Sequence, residues 1–268
     1  MPSMQRDGTK LFFVDEGAGS PPFVFVHGWT CDHTFFAPQV GHFREHHRVV
    51  AVDLRGHGRS DAPEQDYTIG GFADDVAALC VELGLEPAVL VGHSMGGTVV
   101  LETAARHPGV ARAVVMVDAA PIASAPILSQ TAQDVGGALV GPDAAAARQA
   151  IVDGLATGVR DDPDLVARIT AAMFSTPEHV AMSCIANLGA WDGEVAAGAC
   201  RVPALHIGAD DPINDAAALR ALNPRLRTGQ TVGAGHFNQL EVPEQVNAMI
   251  ERFLAVEVLA PVPSDARA

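Results

Sequence analysis

The chain has 268 residues, a formal net charge of −15 and 48% hydrophobic residues. A strongly acidic protein repels nucleic acid and anionic membranes, so the charge argues against both partners and suits a small-molecule substrate. The length fits one large domain, with or without an insertion. A homo-oligomer stays open.

The location and the cofactor needs of the chain are also constrained by composition. The N-terminal residues MPSMQRDGTK lack a positive region followed by an apolar one, so we expect no secretion signal and a cytoplasmic protein. The cysteines, Cys31, Cys80, Cys184 and Cys200, show no CxxC pair and no metal-ligand spacing with histidine. We therefore expect buried free thiols, no metal and no organic cofactor.

Short β-branched runs alternate with segments of helical period along most of the chain. This alternation predicts an α/β fold, with a mostly parallel central sheet and helices on both faces. The predicted strands are Leu11–Gly17, Phe23–Gly28, Arg48–Gly56, Ala88–Gly92, Ala113–Val117, Ala204–Gly208 and the region Gln230–Gly235. Helices are predicted over Ile69–Leu83, Gly97–Arg106 and Pro243–Val256.

The strand pattern stops between Pro121 and Val202, where only helical segments occur. We predict that residues 121–202 form a helical cap over one end of the sheet, with 1–120 and 203–268 as the core. Periodicity also allows a helical insertion beside the sheet, so the placement of the cap stays open.

The motif GHSMG, residues 92–96, lies where a buried strand ends and a helix begins. A nucleophilic serine in such a turn has a strained backbone and needs small residues on either side, which Gly92 and Gly96 provide. The helix that follows directs its amides toward developing negative charge. Ser94 is therefore the candidate nucleophile.

A serine hydroxyl needs a base within hydrogen-bond reach, and His236 is the candidate. It lies in a glycine-flanked loop after the last predicted strand, at the sheet edge where Ser94 is expected. His93 flanks the nucleophile, but its side chain is expected to point elsewhere. The acid that orients the base is sought at Asp210 or Asp211, with Asp118 as a rival.

Backbone amides of Trp29 and Met95 are the candidate oxyanion hole, because the HGW segment ends a strand and Met95 follows the nucleophile. The segment DLRGHGRSD, residues 53–61, departs from GxGxxG and is predicted to be a structural loop. Large side chains of the insertion are candidates to line an apolar acyl pocket, although packing within the cap explains them equally well. Together with Trp29, they are Met173, Phe174, Met182 and Trp191.

These motifs together resemble the α/β-hydrolase superfamily. The resemblance runs from Leu11 to about Leu254 and rests on HGW at 27–29, DLRGHGRS at 53–60, GHSMGG at 92–97, GADDP at 208–212 and GAGHF at 233–237. It implies a Ser–His–Asp triad whose acid follows the strand-ending glycine by three residues, which selects Asp211. It also implies that the family's first strand is short or missing here.

The resemblance narrows the chemistry without naming a substrate. Haloalkane dehalogenases and epoxide hydrolases of this fold have Asp at the nucleophile position, so Ser94 argues against them. Carboxylesterases, lactonases, thioesterases, perhydrolases, carbon–carbon bond hydrolases and cofactor-free dioxygenases keep serine, and some ligand-sensing members retain a triad. We expect a hydrolase that cleaves a carboxylic ester of a small, fairly apolar substrate.

Overall fold

A computed structural model describes residues 2–139, 143–156 and 162–259 of the chain. Its centre is an eight-stranded sheet with the strand order β1-β2-β4-β3-β5-β6-β7-β8. The strands are β1 (Ser3–Arg6), β2 (Thr9–Glu16), β3 (Phe23–Val26), β4 (Val49–Val52), β5 (Ala88–His93), β6 (Ala111–Val117), β7 (Ala204–Gly208) and β8 (Leu226–Gln230). The predicted α/β fold is confirmed.

Strands β3 to β8 pair in parallel, whereas β2 is antiparallel to both β1 and β4. The central strands β3, β4 and β5 are buried along their whole length, which explains their continuous apolar sequences. The first strand is present, with four residues. The last strand ends at Gln230 instead of beginning there, which leaves residues 231–237 as a loop.

Helices cover both faces of the sheet and separate the core into two apolar clusters. They are α1 (Ala37–Phe43), α2 (Ile69–Glu82), α3 (Met95–Arg106), α4 (Ala125–Ala138), α5 (Ala144–Ala156), α6 (Pro163–Ser175), α7 (Glu178–Leu188), α8 (Gly193–Ala199), α9 (Ala216–Leu222), α10 (Asn238–Glu241) and α11 (Pro243–Phe253). Helix α2 begins where the Thr68 side chain accepts a hydrogen bond from the Gly71 amide at 2.9 Å.

The insertion between β6 and β7 is helical throughout its described residues. Within it, α4 packs on α7 and α5 packs on α6. The structure differs from the predicted boundary at Val202, because α8 packs against α3 and α9. Its buried Ala196 and Ala197 are small enough for close helix contact, so α8 belongs with the core helices. The cap proper is therefore α4 to α7.

Two further expectations concern cysteine state and membrane spans. All four cysteines are free and buried, as predicted. Burial raises the pKa of the Cys184 thiol well above its usual range. Among the residues that the structure describes, the helices are too short or too polar to cross a bilayer.

Candidate active site

Ser94 occupies a sharp turn between β5 and α3, with φ of 52° and ψ of −121°. Positive φ is costly for a residue with a side chain and persists only where surrounding structure enforces it. Here the Ser94 amide donates to the Val117 carbonyl at 3.0 Å, and the Gly97 amide donates to the Ser94 carbonyl at 2.9 Å. These bonds hold the turn, and its side chain projects into a cavity under the cap.

The glycines on either side of Ser94 are required by close approach of the backbone. A Cβ on Gly92 would overlap the carbonyl of Gly96, and a Cβ on Gly96 would overlap the carbonyl of Val26. The same crowding that excludes side chains lets α3 begin directly beside the strand end. The sequence motif is therefore explained by packing within the turn.

His236 lies in the loop after β8 and lines the same cavity as Ser94. Its Nδ1 donates a hydrogen bond to Asp118 Oδ2 at 2.7 Å. The proton on Nδ1 leaves the Nε2 atom with the lone pair that a base requires. The Asp118 side chain is 1% exposed and also accepts from the Ala209 amide at 3.1 Å, through Oδ1.

The prediction that Asp211 holds His236 is contradicted by this geometry. Asp211 and Asp210 are both exposed on the loop after β7, and the hydrogen bond to the imidazole comes from Asp118. A Cβ on Gly208 would clash with Pro212, so Pro212 packs back against the strand end. This packing turns the loop and leaves the two neighbouring carboxylates in solvent.

Strand register explains why Asp118 is the residue that meets His236. In the parallel pair of β5 and β6, His93 lies opposite Val117. Each next residue is then Ser94 on one strand and Asp118 on the other, so the two lie side by side at one sheet edge. Asp118 has φ of 36°, a second strained backbone in this small region. The signal in the sequence was an aspartate directly after a wholly apolar strand.

Asn214 is a site residue that the sequence reasoning missed. Its side-chain amide donates to the carbonyls of Ala119 and Ala120 at 2.8 and 3.3 Å, and its oxygen accepts from the Ile122 amide at 2.8 Å. These bonds tie the loop after β7 to the segment that follows Asp118. Asn214 is buried, so its loss would leave backbone groups unpaired.

Trp29 and Met95 flank the cavity beside Ser94. The backbone hydrogen bonds of the described residues assign no acceptor to either amide, so both are free to donate to a ligand. The loop of Trp29 is tied to the cap at two points. The Trp29 indole N–H donates to the Ala181 carbonyl at 2.9 Å, and the Thr176 hydroxyl donates to the Thr30 carbonyl at 3.2 Å.

The cavity at Ser94 has a volume of about 210 Å³ and is mostly apolar. Four cap helices contribute to its walls, which places the cap over the carboxyl edge of the sheet. The cap residues that line it include Val135, Ile151, Leu155, Met173, Ile185 and Leu188. Cys31 and Cys184 add two thiols, and Ile213 reaches it from the loop after β7.

The predicted substrate-binding residues are only partly brought together. Trp29 and Met173 line the Ser94 cavity, but Phe174, Met182 and Trp191 lie outside its lining. Phe174 is 37% exposed and stacks with Arg148, whose guanidinium carbon lies 5.0 Å from the ring centre. The Trp191 indole N–H donates to Glu102 of α3 at 2.9 Å. Helix rotation, which sequence does not reveal, turns these rings away from Ser94.

One group of side chains has the composition of a metal site. Asp32, His33 and Asp53 place their ligand atoms within 4.8 Å of one another. Both Asp53 oxygens are already used, because Oδ1 accepts from His33 N and Nδ1, and Oδ2 accepts from the Arg59 amide. Burial alone would raise the pKa of Asp53, but the His33 hydrogen bond outweighs it and lowers that pKa. The group fits the structural loop predicted for residues 53–61.

Comparison with known proteins places the chain among its relatives. It is 41% identical over 105 residues to the AB hydrolase superfamily protein YisY of Bacillus subtilis, covering 39% of each chain. It is 40% identical over 121 residues to a bifunctional esterase/perhydrolase of Acinetobacter calcoaceticus, covering 44% of each. The matches thus span less than half the length of these curated relatives.

Structural similarity extends over nearly the whole chain. The enol-lactonase of Burkholderia xenovorans superposes with a TM-score of 0.80 at 26% identity, covering 95% of this chain and 100% of that one. Residues 21–243 match the family model described as alpha/beta hydrolase fold. Because that match covers most of the sequence and the sheet topology agrees with it, the chain belongs to the α/β-hydrolase fold family.

Proposed function

We propose that the protein is a serine hydrolase that cleaves carboxylic esters of small, apolar substrates. The observation that carries the proposal is that Ser94 in its strained turn and His236, bonded to Asp118, line one apolar cavity. A nucleophile, a base with its lone pair free and an acid that orients the base are the components of acyl transfer.

The proposed reaction uses each of these groups once in each half. Ser94 Oγ attacks the ester carbonyl while His236 Nε2 takes the hydroxyl proton, and the Trp29 and Met95 amides stabilise the oxyanion. Collapse breaks the bond to the alcohol oxygen, which takes the proton from His236. Water then gives its proton to His236 and attacks the acyl-enzyme, and Ser94 regains a proton as the acid leaves.

Cavity size and polarity support the substrate class. A cavity of about 210 Å³ is somewhat larger than the roughly 150 Å³ that holds benzene in an engineered protein core. Its apolar walls favour uncharged groups, because an unpaired charge there would lose its hydration. The names of two similar proteins, the esterase/perhydrolase and the enol-lactonase, point to acyl chemistry on the same fold.

We expect turnover of p-nitrophenyl acetate and butyrate, and much weaker turnover of the dodecanoate. The long acyl chain exceeds the cavity, whereas the short chains fit under the cap. Steady-state kinetics across the series would measure this preference. Labelling with a fluorophosphonate would count functional serines in the same sample. Stoichiometric labelling with a single turnover of every ester would instead identify a ligand-sensing protein and refute the proposal.

Met173 and Phe174 offer a matched test of which side of α6 faces the substrate. Met173→Ala enlarges the Ser94 cavity, so we expect kcat/KM to shift toward longer acyl chains. Phe174→Ala removes a half-exposed ring outside that cavity and should leave the preference unchanged. The Met173 change costs about 2–5 kcal/mol of stability, so both variants require thermal unfolding curves. An equal shift in the two variants would contradict the cavity assignment.

A further inference from the structure

His93, the residue before Ser94, is fully buried, with 0% exposure. Its ring lies between the loop of the base and the strand of the nucleophile. The ring centre is 4.7 Å from that of His236 and 5.3 Å from that of Phe237. A polar ring buried this deeply is expected to have a defined hydrogen bond.

That bond runs to the backbone of the candidate base. His93 Nε2 lies 2.8 Å from the His236 carbonyl oxygen, which can only accept, so Nε2 carries the proton. Burial, followed by the neighbouring His236, lowers the pKa of His93 well below its ordinary value, which keeps the ring neutral. Since its Nε2 is a donor to the backbone, His93 is not placed to act as a second base.

The other ring nitrogen shows that the Nε2 bond is the polar contact that orients His93. Nδ1 is buried and has no hydrogen-bond partner among the described residues. It lies against Gly28, where an added Cβ would sit 3.1 Å from it. A donor at the Nε2 position is therefore the feature that a substitution must reproduce.

His236 is held at two points. Asp118 fixes the imidazole through Nδ1, and His93 fixes the main chain of the same residue through its carbonyl. His93 ends β5 immediately before Ser94, so its bond ties the loop of the base to the element that carries the nucleophile. We propose that His93 is a positioning residue that sets the place of His236 relative to Ser94. This proposal rests on the proposed function.

The test compares three substitutions at residue 93. The amide nitrogen of His93→Gln reaches the position of Nε2, whereas that of His93→Asn stops near Nδ1, and His93→Leu fills the space without a donor. A misplacement of about 1 Å can cost about 100-fold in rate. We expect kcat to fall roughly 10- to 100-fold in the Asn and Leu variants with KM within about threefold of wild type. The Gln variant should keep most of the wild-type kcat.

Rates are measured on p-nitrophenyl butyrate per fluorophosphonate-titrated serine, so unfolded protein does not count. Rescue by Gln alone supports positioning. If wild type turns over the ester and all three variants keep its kcat, or if Gln fails as completely as Leu, the inference is overturned while the hydrolase function stands. Absence of turnover by wild type refutes the proposed function itself.

Discussion

Ser94→Ala should abolish ester turnover while the protein remains folded. The hydroxyl is the only atom removed, and the turn that holds it depends on backbone bonds to Val117 and Gly97. Loss of a nucleophile of this kind lowers kcat by about 10⁴- to 10⁶-fold. The measurement is steady-state turnover of p-nitrophenyl butyrate together with circular dichroism. Ser175→Ala, an exposed serine at the end of α6, is the control.

Ser94→Gly adds a second readout to the same prediction. Its φ of 52° costs energy for any residue with a Cβ, whereas glycine adopts it freely. We expect Ser94→Gly to be as inactive as Ser94→Ala but more stable to unfolding by about 1 kcal/mol. A folded Ser94→Ala protein that keeps more than a few per cent of wild-type turnover would exclude Ser94 as the nucleophile.

Asp118→Asn should reduce kcat by about 10³- to 10⁴-fold, with a small change in stability. Asparagine keeps the size of aspartate, and its oxygen still accepts from the Ala209 amide. Its amide then faces His236 Nδ1 as a donor, which favours the imidazole tautomer that carries its proton on Nε2. A base in that tautomer cannot accept the Ser94 proton. The effect is measured by kcat and by thermal unfolding of the same samples.

Asp211→Asn and Asp210→Asn are the matched controls for this change. Both carboxylates are exposed on the loop after β7, so we expect turnover within about twofold of wild type. A severe loss in Asp211→Asn with a mild one in Asp118→Asn would place the acid on the later strand. That result would contradict the hydrogen bond between Asp118 and His236.

Local sequence was sufficient for the parts of the protein whose determinants are close along the chain. The wholly apolar runs predicted buried strands, and the glycines around Ser94 predicted a turn whose crowding the structure shows. The loop of His236 was also expected beside Ser94, because parallel strands end at one edge of a sheet. Such features follow from backbone sterics and from a single period of hydrophobicity.

The choice of acid depended on tertiary structure. Three aspartates follow strand ends, and which of them meets His236 depends on the order and register of β5, β6 and β7. That order arises from pairing between segments far apart in sequence. The cap behaved similarly, since Met173 and Phe174 are adjacent and only Met173 lines the cavity. The rotation of a helix against its neighbours is decided by packing, which a helical period alone does not specify.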